Sequence, residues 1–148
     1  MINIKPLKAY TDNYIWLLET NEEVSVVDPG DAKPVLDYLS KTNKNLRDIF
    51  ITHHHFDHTA GVPELENLIS GSIYGPKNSY ELIKEKVSEG DTLSSLGIKF
   101  EIIEVPGHTL DHIAFYSEEY NILFCGDTLF AGGCGRVFEG TFDQMFES

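Results

Sequence analysis

Apolar positions along this chain fall in short runs punctuated by Gly, Pro, Asn and Asp, and three stretches repeat at helical spacing. Tyr14 to Glu19 and Glu23 to Val27 read as strands, and Thr20-Asn21-Glu22 between them as the turn of a hairpin. Asp28-Pro29-Gly30 breaks the second strand. Val35, Leu36 and Leu39 then predict a helix over Ala32 to Thr42, with Asp31 as its N-cap. Ile49 to Ile51 is a short buried strand leading to Thr52. Val62, Leu65, Leu68 and Ile69 predict a helix over Val62 to Ser70. Gly71 to Gly75 is a brief strand closed by Pro76. A short helix follows over Asn78 to Val87, while Thr92-Leu93 is too short to assign. Ile98 to Val105, His112 to Tyr116 and Asn121 to Cys125 read as strands. Gly132 to Ser148 reads as a loop on the substrate side, with a helix starting near Phe142. Strands first, then strand and helix alternating, then strands in succession predict an α/β fold with a mixed sheet.

Composition narrows the function classes. A length of 148 residues suits one domain, residues 1–148, with a core of its own. No apolar run reaches the 18 residues of a membrane span, and the N-terminus lacks a signal-like apolar stretch, so a cytoplasmic location is the expectation. A net charge of -13 opposes phosphate backbones and argues against nucleic acid as a partner. It leaves room for an anionic small substrate, because bound divalent cations reverse the local field. Cys125 and Cys134 do not make a disulfide framework and are read as structural.

The six histidines lie in two clusters, His53-His54-His55-Phe56-Asp57-His58 and His108 with His112. In extended backbone side chains repeat with period two, so His53 and His55 share a direction and His54 points away. A turn after His55 brings Asp57 and His58 back toward the same cavity. His108 and Asp127 each follow an apolar strand, beside Gly107 and Gly126, where α/β sheets place their chemistry. Imidazole and carboxylate donors suit zinc, and also iron or manganese. Two such ions roughly 3.5–4 Å apart clamp the oxygens of a reacting group and supply a hydroxide nucleophile near neutral pH. His54 and His112 read as structural or packing histidines. Asp28 reads first as a turn former, with the alternative of holding a ligand histidine by its free ring nitrogen. Asp111 has the same two readings.

Thr52 to His58 resembles the metal-binding signature of the metallo-β-lactamase superfamily. Further segments resemble its glyoxalase II branch, the hydroxyacylglutathione hydrolases. These are Asp12 to Trp16, Val27 to Gly30, Pro106 to Thr109, Phe124 to Phe130 and, most discriminating, Ala131 to Thr141. The resemblance runs from about residue 2 to residue 148 and implies an αββα sandwich, of which this chain carries the first half, without the family's C-terminal helical domain. It implies that His53, His55 and His108 hold one metal, that Asp57 and His58 hold a second, and that Asp127 bridges them. It makes Asp57 and Asp127 the catalytic carboxylates and two divalent ions, zinc foremost, the cofactors. Arg136 and Phe138 match positions that bind the glutathione part of the substrate. The implied reaction is hydrolysis of S-(2-hydroxyacyl)glutathione to a 2-hydroxy acid and glutathione by metal-bound hydroxide.

Family members are longer and contribute one more histidine to the second metal, beyond Asp127. An apolar face left uncovered here is expected to favour a homo-oligomer. Two other readings stay open. One is a mononuclear iron persulfide dioxygenase, which shares His53, His55, His108 and Asp127. The other is a metal-binding remnant without turnover.

Overall fold

The structure, a computed structural model, describes residues 2–77 and 80–148. Two sheets form. The first contains β1 (Asn3–Ala9), β2 (Asn13–Glu19), β3 (Glu23–Val27), β4 (Asn45–Phe50), β5 (Ile73–Pro76) and β6 (Glu85–Val87), side by side in that order. The β1–β2–β3 pairs are antiparallel, and β3 through β6 run parallel. The second sheet contains β7 (Thr92–Ser95), β8 (Ile98–Glu104), β9 (Ile113–Ser117) and β10 (Ile122–Phe124), all antiparallel, in the order β10-β9-β8-β7.

Side-chain alternation explains the layering. In β8, Ile98, Phe100 and Ile102 point inward while Lys99 and Glu101 face solvent. They meet Leu18, Val27 and Phe50 of the first sheet, with Phe50 tilted onto Phe100 and edge-on to Phe115 at 5.1 Å. The other face of the first sheet packs on α1 (Ala32–Thr42), through Val35 and Ala32, and on the one-turn α3 (Val62–Leu65). The two sheets of the expected, partial αββα sandwich are present, with a helical layer on the first.

Asp31 caps α1 by accepting from the Lys33 backbone N–H, and Asn43, left-handed at φ 54, ends it. A second short turn, α2 (Phe56–Thr59), carries the histidine run, and α4 (Phe142–Glu147) closes the chain with a Thr141–Gln144 capping box. Among the described residues, no helix is long and apolar enough to cross a membrane.

Two predicted helices differ. The Val62–Ser70 helix stops at Leu65, because the Ser70 and Gly71 N–H groups bond to Leu46 and Arg47 carbonyls instead. The helix expected over 78–87 is absent from its described part. Glu85–Val87 adds instead as a parallel strand to the open edge of β5, and Asn78 and Ser79 lie outside the described residues. β1 went unpredicted, being a half-exposed edge strand carrying Lys5, Pro6 and Lys8.

Candidate metal centre

The site forms where β3, β4, β8 and β10 end. β3 and β4 are parallel neighbours, so Asp28 and Thr52 emerge side by side. The Ile113 N–H donates to the Thr52 carbonyl at 3.0 Å, joining the second sheet to the first at this end.

Tautomers follow from partners. The Thr52 hydroxyl donates its one proton to Asp28 Oδ2 (2.7 Å), so it accepts from His53 Nδ1 (2.9 Å). That leaves His53 Nε2 with a free lone pair, buried and without a partner. His58 Nδ1 donates to Asp28 Oδ2 at 3.0 Å, and its Nε2 is likewise buried and unbonded. His108 Nδ1 donates to the Arg136 carbonyl at 2.6 Å, which turns its Nε2 toward His55 Nδ1 at 3.0 Å. Ring nitrogens left without hydrogen-bond partners in a buried site, at His53 and His58, are what a cation requires once any proton they carry is released.

His53, His55 and His108 place their donor nitrogens within 4.8 Å of one another. Asp127 stands between this trio and a second set. Its Oδ2 lies 3.3 Å from His108 Nε2 and its Oδ1 3.3 Å from His58 Nε2, while Asp57 Oδ2 is 3.6 Å from the same His58 nitrogen. The His53, His55 and His108 donors fit one cation, and the donors on the other side of Asp127 are consistent with a second. Asp28 is also within reach of His53 and His58. It faces their Nδ1 edges, however, and its oxygens are occupied by the Thr52 N–H, the Thr52 hydroxyl and His58. It holds the His58 ring and the Thr52 hydroxyl in place and is not one of the open donors.

Electrostatics agree with these roles. Burial, then the neighbouring histidines, push His53 well below the ordinary imidazole range, and burial lowers His55 in the same way. Burial opposes charge on His58, but Asp28 and Asp127 outweigh it and raise its pKa to about 10. Burial favours the neutral form of Asp127 too, yet His58 and His108 hold its carboxyl below the usual value.

The other expected residues fall as follows. His54 points away from the trio, toward Asp111 and Glu139. Asp111 holds His54 and not a member of the trio. Asp28 is both turn former, at φ 51, and anchor of His58. His112 does more than pack: it stacks on His53 at 4.6 Å, and its Nε2 accepts from the Asp127 N–H at 3.1 Å. Arg136 and Phe138 line a cavity of about 980 Å³ whose floor includes Asp57, His58, His108 and Asp127. Cys125 bonds to the Leu129 carbonyl, whereas Cys134 is exposed and not packed. Sequence reasoning missed Asn13, whose amide donates to Asp57 Oδ2 at 2.9 Å, and Thr52 as the link between Asp28 and His53. Asn13 lies in the Asp12–Trp16 segment that carries the resemblance, just before a strand, but nothing in that segment marked it as a partner of Asp57.

A two-sheet sandwich with imidazoles and carboxylates gathered at its strand ends is the architecture of a metal-dependent αββα protein. The chain belongs to the metallo-beta-lactamase superfamily, whose family description matches residues 11–146. It is 50% identical over 152 residues to a hydroxyacylglutathione hydrolase of Chromohalobacter salexigens, all of this chain aligning to 60% of that protein. The chain thus spans about 60% of the length of the curated relatives it matches. Its structure is similar to that of ETHE1 from Myxococcus xanthus, with a TM-score of 0.83 and 26% identity, over 98% of this chain and 67% of that one. It is also similar to TTHA1623 in a di-iron-bound form, with a TM-score of 0.78 and 26% identity, over 97% of this chain and 82% of that one.

Proposed function

We propose that this chain carries the metal centre of a hydrolase that cleaves the thioester of S-(2-hydroxyacyl)glutathione, releasing a 2-hydroxy acid and glutathione. The observation that carries the reading is Asp127, whose two oxygens face His108 on one side and His58 on the other. His53, His55 and His108 would hold one divalent ion, Asp57 and His58 a second, and Asp127 both. Zinc suits these donors best, and iron or manganese is tolerated. Such ions supply a Lewis acid and a nucleophilic hydroxide at neutral pH.

The chain's own residues do the rest. Asp28, Thr52 and the Arg136 carbonyl fix the ring tautomers, and Asn13 and the His112 ring orient Asp57 and Asp127. The Phe138 ring stands edge-on to His55 and His108 at 5.4 Å and gives the acyl group an apolar wall. The Arg136 guanidinium suits a carboxylate of the glutathione moiety. The leaving thiolate needs little protonation, since thiols ionise near pH ~8.5. The identity with hydroxyacylglutathione hydrolases supports the substrate class.

Elemental analysis of the purified chain, with S-D-lactoylglutathione hydrolysis assayed on the same sample, tests the reading. Two ions per chain with turnover are expected. A single iron with oxygen consumption, or full metal loading without turnover, overturns it.

A further inference from the structure

His54 sits between two donors of the site yet serves neither. Its Nδ1 lies 3.2 Å from both carboxylate oxygens of Asp111, and its Nε2 lies 3.2 Å from Glu139 Oε1. The other Glu139 oxygen accepts from the Leu110 N–H at 2.9 Å. One ring therefore ties together three segments: the 53–58 run, the 108–111 turn and the 136–140 stretch.

Such a cluster invites reading as a third metal site, since its donor atoms fall within 4.8 Å of one another. The geometry argues otherwise. The two carboxylates approach opposite nitrogens of one imidazole, and a single cation takes only one of those edges.

The consequence lies in what Glu139 carries with it. Phe138 precedes it and is 61% exposed, so packing does little to hold that ring in place. Tethers must do so. The Phe138 and Glu139 N–H groups both reach the His108 carbonyl, at 3.2 and 3.4 Å, and Gly140 N–H reaches the Gly107 carbonyl at 3.1 Å. These bonds all go to the 107–108 turn. The His54–Glu139 contact pins the same stretch to the histidine run instead.

We propose that His54 is a positioning residue: through Glu139 it sets where Phe138 stands over the donor cluster, and so governs substrate affinity while leaving metal retention and the reacting groups alone. The inference rests on the hydrolase reading above only for its kinetic consequence.

The test is a double-mutant cycle of His54→Ala and Glu139→Ala, reading KM, kcat, metal content and amide hydrogen exchange. Each single change is expected to raise KM roughly three- to ten-fold with kcat within about twofold, and the double change to add little more. Metal content stays at the wild-type level, and the Leu110 and Phe138 amides exchange faster while those of β8 do not. A fall in metal content and kcat on His54→Ala, or additive effects of the two changes, overturns the proposal. A wild-type chain without turnover sinks the hydrolase reading alone. The exchange rates of the Leu110 and Phe138 amides then decide the strut: unchanged rates in both variants overturn it.

Discussion

Asp28 accepts a hydrogen bond from His58 Nδ1 at 3.0 Å while the same oxygen takes the Thr52 hydroxyl at 2.7 Å. An acceptor-only carboxylate is needed there. In Asp28→Asn, the amide places N–H where an acceptor stood, so neutral His58 takes its other tautomer and keeps its proton on Nε2. The Thr52 hydroxyl loses its acceptor as well, and with it the defined partner for His53. Cation affinity is expected to fall about 10–100-fold, more steeply for the ion nearer His58. Competition titration with a chromophoric chelator measures both steps, and equal affinities in variant and wild type would refute the tautomer argument.

Metal uptake should release protons. His58 is raised to about 10 in the metal-free fold, so it is charged at pH 7 and must deprotonate before Nε2 becomes a donor. Its raised pKa gives the metal-free protein stability that is fully present below pH ~6.5 and is lost as pH rises toward 10. Apparent cation affinity should therefore climb between pH ~6.5 and 8.5, and the binding heat should vary with the ionisation enthalpy of the buffer. A buffer-independent heat at pH 7 would show that His58 enters neutral.

Acid stability has a separate origin, far from the site. Glu19 is buried, with Lys5 and Lys44 at 2.5 and 2.7 Å and the Tyr38 hydroxyl also donating to it. Burial penalises its charge, but the lysine partners outweigh this and lower its pKa to about 2. A depressed carboxyl contributes stability above its unfolded value and loses it as pH falls from about 4.5 toward 2. Glu19→Gln should lower stability at pH 7 and flatten the acid-unfolding curve in that window. Parallel curves for the two proteins below pH 4.5 would count against it.

Legibility followed the range of the interaction. The inward face of β8 was readable because Ile98, Phe100 and Ile102 repeat with the strand's own period. The 80–87 stretch misled because Ile83 and Val87 stand four apart, as on a helix face, while the free edge of β5 decided the outcome through backbone pairing that no local pattern records. At the site, the spacing of the histidine run and the strand-end positions of His108 and Asp127 were visible in the sequence. The partners that orient them were not. Asp28 meets Thr52 and His58 across 24 and 30 residues, and Asn13 meets Asp57 across 44. Such contacts exist only once β3 and β4 lie side by side.

The Gly-Gly-Cys-Gly run separates two kinds of glycine that the sequence cannot tell apart. A Cβ on Gly135 would stand 2.1 Å from the Asp127 carbonyl oxygen and 2.9 Å from His108 Nδ1. The first contact is with backbone, which cannot swing aside as a side chain can, and the Gly135 N–H already donates to that same carbonyl at 2.9 Å. Relief requires moving Asp127 or the 135–136 peptide, and the latter carries the carbonyl that fixes the His108 tautomer. Gly133, two positions earlier, has nothing within 4 Å of its would-be Cβ. Gly135→Ala should therefore lower metal content and cut any thioesterase turnover by about 10²-fold, as a displacement on the order of 1 Å at a reacting centre does. Gly133→Ala, measured beside it by elemental analysis and by the lactoylglutathione assay, should match the unmodified chain in both. Comparable losses in the two variants would mean that the whole 132–135 turn, and not the close approach to Asp127, is what the site depends on.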